Sequence, residues 1–145
     1  MNIRKALPED AALIDALNQT YFYEAGRDFL SLITSSYSEM VVVEERGEII
    51  AFSGLEYHDW NNTASLIDIF VLPVYRHQGI ATRLLQHLIS MARTTPHRCL
   101  LAEAPSLNPA LHLYLKNGFR ICGYNDRYYS NSGHEAAMYL SLDLQ

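Results

Sequence analysis

Nowhere does the chain carry an apolar stretch near the ~18–20 residues that a bilayer-spanning helix requires, so passage through a membrane by a helix is not expected. The N-terminal residues Met1-Asn2-Ile3-Arg4-Lys5-Ala6-Leu7-Pro8-Glu9-Asp10 contain no apolar run suited to an export signal, and a cytoplasmic location is expected. Cysteine is scarce: Cys99 and Cys122 are too few for a disulfide framework. Both fall in strand-like runs and are expected to be small buried thiols. The six histidines (58, 77, 87, 97, 112, 134) form no HExxH pair and CxxC is absent, so no metal is expected. A basic excess is lacking as well, with 11 Lys and Arg against 16 Asp and Glu and a formal net charge of −5. That excludes a general nucleic-acid binder. Internal repeats, low-complexity tracts and linker-like shifts in composition are also missing. The 145 residues read as one domain over positions 1–145, long enough to bury roughly two-thirds of the unfolded chain's surface.

The charge that is present is unevenly placed. Residues 1–60 hold eleven acids and four bases, whereas residues 61–145 hold five acids and seven bases. Between Asn61 and Leu101 the one acid is Asp68, against Arg76, Arg83, Arg93 and Arg98. The pattern leaves room for an anion site in the second half and a site for a cationic group in the first.

Periodicity and breakers give a coarse map. Asn2 to Leu7 reads as an edge strand. Pro8-Glu9-Asp10 opens a helix, with Ala11, Leu13, Ile14 and Leu17 as its apolar face. A second helix is expected over Tyr23 to Thr34. Glu39 to Glu45 and Glu48 to Tyr57 form strands joined at Gly47. Ala64 to Leu72 is apolar on both faces except for Asp68, which predicts a central, doubly covered strand. An amphipathic helix carries Ile80, Leu84, Leu85, Leu88, Ile89 and Ala92. Arg98 to Glu103 is a strand, Asn108-Pro109 caps a short helix, and Lys116-Asn117-Gly118 stops it. Phe119 to Tyr124 and His134 to Leu142 close as an antiparallel pair around a polar loop. The whole is a mixed α/β pattern rather than regular βαβ repeats.

The segment Val71-Leu72-Pro73-Val74-Tyr75-Arg76-His77-Gln78-Gly79-Ile80-Ala81-Thr82-Arg83 runs from a strand end through a glycine-containing loop into a helix. Free N–H groups and positive potential at such a helix start suit a phosphate. The loop is neither a P-loop nor a dinucleotide fingerprint.

V-x-P-x-x-R-x-x-G-I-A before an amphipathic helix resembles the acetyl-CoA-binding motif of the GNAT N-acetyltransferase superfamily. The opening Ile3-Arg4-Lys5-Ala6-Leu7-Pro8-Glu9-Asp10-Ala11 and the later Ala110-x-x-Leu113-Tyr114-x-Lys116-x-Gly118-Phe119 are similar to that family's other signals, in the same order. The segment Arg127-Tyr128-Tyr129 … Glu135-Ala136-Ala137-Met138 is most similar to the bacterial ribosomal-protein N-terminal acetyltransferase branch. The resemblance implies a mixed, mostly antiparallel sheet of about seven strands flanked by about four helices, with acetyl-CoA as co-substrate and direct transfer to a primary amine in a ternary complex. It implies that backbone N–H groups from Arg76, His77, Gln78, Gly79, Ile80 and Ala81, with Thr82, hold the coenzyme A pyrophosphate. The main chain of Ile69, Phe70 and Val71 would pair with the pantetheine arm and stabilise the thioester oxyanion, an effect of roughly 3 kcal/mol. Asn108 corresponds to a coenzyme-contacting asparagine, although its cap role already accounts for it.

Transfer to an amine needs the amine neutral. At neutral pH that costs a lysine side chain about 4–5 kcal/mol and an α-amine about 1 kcal/mol, so a base helps. Under the resemblance Tyr114 stands beside the sulfur as acid or hydrogen-bond donor. Glu103, at a strand end, is the candidate base, although the stretch from Glu103 to Tyr114 is one residue shorter than in that branch. Asp68 is the alternative base, either poised by burial or held in a structural pair. The acceptor side would draw on Tyr21, Tyr23 and Glu24, which could equally be helix-packing residues, and on Tyr128 and Tyr129. A peptide N-terminus, a small amine such as a polyamine, amino acid or antibiotic, and a non-catalytic acyl-CoA-binding regulator all remain open, as does a monomer or homodimer.

Overall fold

A computed structural model describes residues 1–22 and 27–145. Seven strands form one sheet: β1 Asn2–Lys5, β2 Ser38–Glu45, β3 Glu48–His58, β4 Thr63–Val71, β5 Cys99–Pro105, β6 Arg120–Asn125 and β7 Ala137–Asp143. The helices are α1 Ala11–Phe22, α2 Phe29–Thr34, α3 Ile80–Arg93 and α4 Ala110–Lys116, with 3-10 turns at Pro8–Asp10 and Pro73–Tyr75. The strand order is β1-β2-β3-β4-β5-β7-β6, and every pairing is antiparallel except β4 with β5. None of the described helices is long and apolar enough to cross a membrane.

Two cores lie on opposite sheet faces. Leu84, Leu85, Leu88 and Ala92 of α3 cover Val41, Val43, Ala64, Leu100 and Leu140 on one face. Ile14 of α1 and Phe29 and Ile33 of α2 cover Met40, Val42, Phe52 and Phe70 on the other. An aromatic stack ties α1 to the sheet, with Tyr21 5.2 Å and Phe22 5.7 Å from Phe70, itself 5.1 Å from Phe52, between ring centroids.

Several sequence expectations need correction. Leu13 is exposed, because at 100° per residue it lies off the stripe that buries Ile14 and Asn18. α2 runs over Phe29–Thr34, with the Asp28 carboxylate accepting from Ser31 N at 3.1 Å at its start, while positions 23–26 of the expected second helix lie outside the described residues. Cys122 is exposed and Cys99 half-buried rather than both buried, and Cys122 lies on the edge strand β6. Asn108 precedes the capping residue Pro109, yet its Oδ1 accepts from Ala110 N at 2.9 Å and so still serves the helix start.

The sheet comes apart between β4 and β5. Phe52 faces Phe70 and Gly54 faces Ile67, so β4 carries one residue more than β3 over this stretch, a bulge at Asp68 and Ile69. The buried Ser53 hydroxyl donates to the Ile67 carbonyl at 2.5 Å and pins it. Gly54 is required here: a Cβ would sit 2.5 Å from the Glu39 carbonyl oxygen and 2.8 Å from the Met40 sulfur. β4 pairs with β5 only over Thr63–Ser65 against Cys99–Leu101. Beyond that point β5 stays paired with β7 as far as Pro105.

Two outcomes follow for stability. Gly54→Ala should lower it by about 1–3 kcal/mol, read as a fall in denaturation midpoint at unchanged slope; an unchanged midpoint would show that the β2–β3 contact has slack. Arg4 bonds Asp10 at 2.8 Å and Glu44 at 3.0 Å, and the guanidinium, then the Leu7 N–H, hold the Asp10 carboxyl below its usual range against the opposing effect of burial. The stability from this shift is fully present above about pH 4 and is lost as pH falls through the depressed folded-state value. The deficit of Asp10→Asn should therefore shrink on acidification in pH-dependent melts; a constant deficit would contradict the account.

Candidate active site

The separation of β4 from β5 leaves the edge of β4 after Ser65 without a strand partner on that side. At the end of this edge the Val71 carbonyl accepts from Arg76 Nε at 2.9 Å, so the Arg76 side chain folds back over the strand. The chain then turns through His77 (φ 63°) and Gly79 (φ 80°) into α3. Arg83 is the first helical residue whose N–H reaches a carbonyl, that of Gly79 at 3.1 Å. The N–H groups of Ile80, Ala81 and Thr82 therefore lack an intrahelical acceptor. A Cβ at Gly79 would meet no protein atom within 4 Å, so the turn is open to a group approaching from outside. Such an arrangement fits an anion with several oxygen acceptors.

Tyr114 approaches from the α3–α4 face. Its ring is 2% exposed and packs on Phe119 with centroids 5.4 Å apart. The αL turn at Gly118 and the bond from Phe119 N to Tyr114 O (3.1 Å) hold the helix end behind it. Its hydroxyl makes no hydrogen bond to the described residues and is not among their buried atoms without a partner, so it keeps some access to solvent. Burial, and then the charge of Asp68, push the phenol well above its ordinary value of about 10, so it stays a donor at any working pH.

On the opposite face, strand alternation turns Glu103 away from buried Ala102 and Ala104. Glu103 lines a cavity of about 330 Å³ where β4 and β5 part, with Ser65, Leu101, Cys122 and Tyr139. Tyr128 and Tyr129 stand edge to face with centroids 5.0 Å apart. Burial, then Glu103, Glu135 and more weakly Asp68, push the Tyr129 phenol up to about 12. The Asp68 side chain is 43% exposed, with Oδ2 3.7 Å from the Arg27 guanidinium. Its observed environment is thus an ion pair at the bulge rather than an apolar enclosure. The carboxylate acts electrostatically on both Tyr114 and Tyr129, and so joins the two sides of the opening.

Tyr21 packs on Phe70, while Tyr23 and Glu24 lie outside the described residues. Sequence reasoning missed Arg27, which is placed by its ion pair with Asp68, and Ser65, Cys122, Glu135 and Tyr139, whose positions depend on strand pairing. It also placed the acceptor-side acidity in the first 60 residues. Much of that charge is engaged elsewhere: Asp10 and Glu44 by Arg4, Glu45 by the N-terminal amine at 3.4 Å, Asp59 against His97 at 3.4 Å. Glu56 and His58 line a separate cavity of about 410 Å³ beside Arg27 and Tyr37.

The profile of the Acetyltransferase (GNAT) family matches residues 9–119. The chain belongs to that family. It is 32% identical to streptothricin acetyltransferase from Streptomyces lavendulae over 105 residues, 70% of this chain and 56% of that one, so it spans little more than half that relative's length. The crystal structure of the ribosomal-protein-S18-alanine N-acetyltransferase from Escherichia coli superposes with a TM-score of 0.86 at 24% identity, over 99% of this chain and 94% of that one. That of yncA from Salmonella typhimurium, described with acetyl-CoA as its cofactor, gives 0.83 at 21% identity over 100% and 94%.

The lone Tyr114 hydroxyl yields a direct test. A hydroxyl that makes no hydrogen bond to the protein contributes little to folding, so Tyr114→Phe should keep the melting temperature to within the equivalent of about 1 kcal/mol. A larger loss would reveal a structural hydrogen bond.

Proposed function

We infer that this protein is an acetyl-CoA-dependent N-acetyltransferase that moves the acetyl group directly to a primary amine within a ternary complex. One observation carries the reading: the parted β4–β5 edge has Tyr114 on one sheet face and Glu103 on the other, and leads into the free N–H groups of α3. An acyl donor and an amine can then meet from opposite sides of the sheet.

In this reading the turn from Arg76 to Thr82 holds the coenzyme A diphosphate through backbone donors, and Asn108 borders its path. The main chain of Ile69, Phe70 and Val71 lies along the pantetheine arm as an added strand would, and a donor from it faces the thioester oxygen as negative charge develops there. The bond from amine nitrogen to acyl carbon forms as the carbon–sulfur bond breaks. Glu103, directly or through a water molecule, takes the amine proton. The Tyr114 hydroxyl donates to the departing sulfur; a phenol is a weaker acid than a thiol, so it stabilises the thiolate by hydrogen bonding before any full transfer. Asp68 orders Arg27 and the bulge, and is the second candidate for the proton. Cytoplasmic action on a soluble amine is consistent with these features.

Isothermal titration and a CoA-release assay test the reading together. Wild type should bind acetyl-CoA and release CoA when an amine is added. Tyr114→Phe should bind with unchanged affinity and lose about 100-fold in kcat. Binding without amine-dependent CoA release would make the protein a non-catalytic acyl-CoA binder and overturn the proposal.

A further inference from the structure

His58, the last residue of β3, meets Ser65 of β4, with Nε2 3.0 Å from the serine Oγ. The contact is diagonal, since Ser65 stands directly opposite Glu56 in the ladder. Residues two apart on a strand share a face, so Glu56, His58 and Ser65 lie on one side of the sheet. Ser65 is also the last residue of β4 to pair with β5, where it faces Leu101. Glu103 follows two residues later on the same face, and it lines with Ser65 the cavity of about 330 Å³ where the strands part. His58 lines the other cavity, of about 410 Å³, with Glu56, Tyr37, Arg27 and Asp28. One hydrogen bond therefore joins the cavity that holds Glu103 to a second one beside α2.

Acetyl transfer from a thioester leaves a proton on the amine side at every turnover. A carboxylate that takes it must lose it again, and an acceptor seated beside Glu103 displaces the water that would carry it away. Imidazole is a stronger base than a carboxylate, and it is the side chain that ordinarily changes charge between pH 5 and 8. A hydroxyl accepts one proton while it releases another, so a serine can transmit a proton that it does not keep.

We propose that Ser65 and His58 form a proton relay that drains the amine side of the opening into the outer cavity. The inference rests on the acetyl transfer proposed above and extends its proton path by two residues. In the resting pair the imidazole carries its proton on Nδ1, and Nε2 accepts from the Ser65 hydroxyl. The protonated Glu103 carboxyl, directly or through water, gives its proton to Ser65 Oγ as the Ser65 proton passes to Nε2. Glu103 is then a carboxylate again, Ser65 a hydroxyl and His58 an imidazolium. Loss of one proton to solvent in the outer cavity, with exchange back to the Nδ1–H form, resets the pair. Of the charges around that cavity, Glu56 favours the imidazolium. Arg27 opposes it but is paired with Asp68 at 3.7 Å, and Asp28 is held by Ser31.

The test is CoA release from the full chain at saturating acetyl-CoA with butylamine, lysine, spermidine and a short peptide bearing a free N-terminus, the fastest being carried forward. His58→Gln and Ser65→Ala should each lower kcat about ten-fold at unchanged acetyl-CoA affinity, and the double variant should be no slower than either, because both cut one path. Ser65→Thr keeps a hydroxyl and should keep most of the rate. Millimolar imidazole should restore kcat of His58→Ala several-fold, more at about pH 8 than at about pH 6, where imidazole is largely protonated. It should do nothing for Ser65→Ala. Full rate in both variants, additive losses, or imidazole rescue that is absent or equal in the two would overturn the relay while leaving acetyl transfer intact. Acetyl-CoA binding with no turnover of any amine would overturn both.

Discussion

The organisation of the site depends on one broken ladder. β4 and β5 share three residue pairs and then diverge, and the divergence is built into β4 itself. The extra residue at Asp68 and Ile69, pinned by the Ser53 hydroxyl and made possible by the bare backbone of Gly54 against Glu39, twists β4 away from its neighbour. A regular β4 would bond β5 along its length and leave neither an exposed edge nor an opening. The bulge costs ladder hydrogen bonds in the middle of the sheet, where such bonds are otherwise satisfied. The loss is localised by the continued pairing of β3 with β4 and of β5 with β7 on either side.

The opening separates two electrostatic environments. Toward α3 the groups on offer are backbone N–H donors and the helix dipole, with Arg76 folded onto the Val71 carbonyl. Toward β6 and β7 they are carboxylates and tyrosine rings. Asp68 lies between, felt by Tyr114 and Tyr129 alike. A partition of this kind lets an anionic ligand and a cationic one approach along separate paths, each drawn by charge of the opposite sign.

How far the sequence spoke depended on how local each feature is. The turn at Gly79, the helix stop at Gly118 and the amphipathic stripe of α3 are written in neighbouring residues, and each stands where spacing placed it. The start of α2 at Phe29 is also written locally, in the Asp28–Ser31 pair. Cys122, Glu135 and Tyr139 reach the opening through non-local pairing: β7 inserts between β5 and β6, and a β6 bulge falls between Ile121 and Gly123. No residue near them announces that contact. The half-and-half charge pattern misled for the same reason, because Arg4 and other tertiary partners consume much of the first-half acidity.

The position of β7 carries a consequence in time. β5 has a short parallel partner in β4 and a long antiparallel one in β7, and β7 is the last of the seven strands to be made. During synthesis the β1–β4 sheet with α1, α2 and α3 can assemble from hairpins and near neighbours. β5 must wait for a segment more than thirty residues downstream, a closure that is slow relative to local pairing. The wall that carries Glu103 therefore depends on the last strand in chain order, whereas the turn at Gly79 is set by its own neighbouring residues.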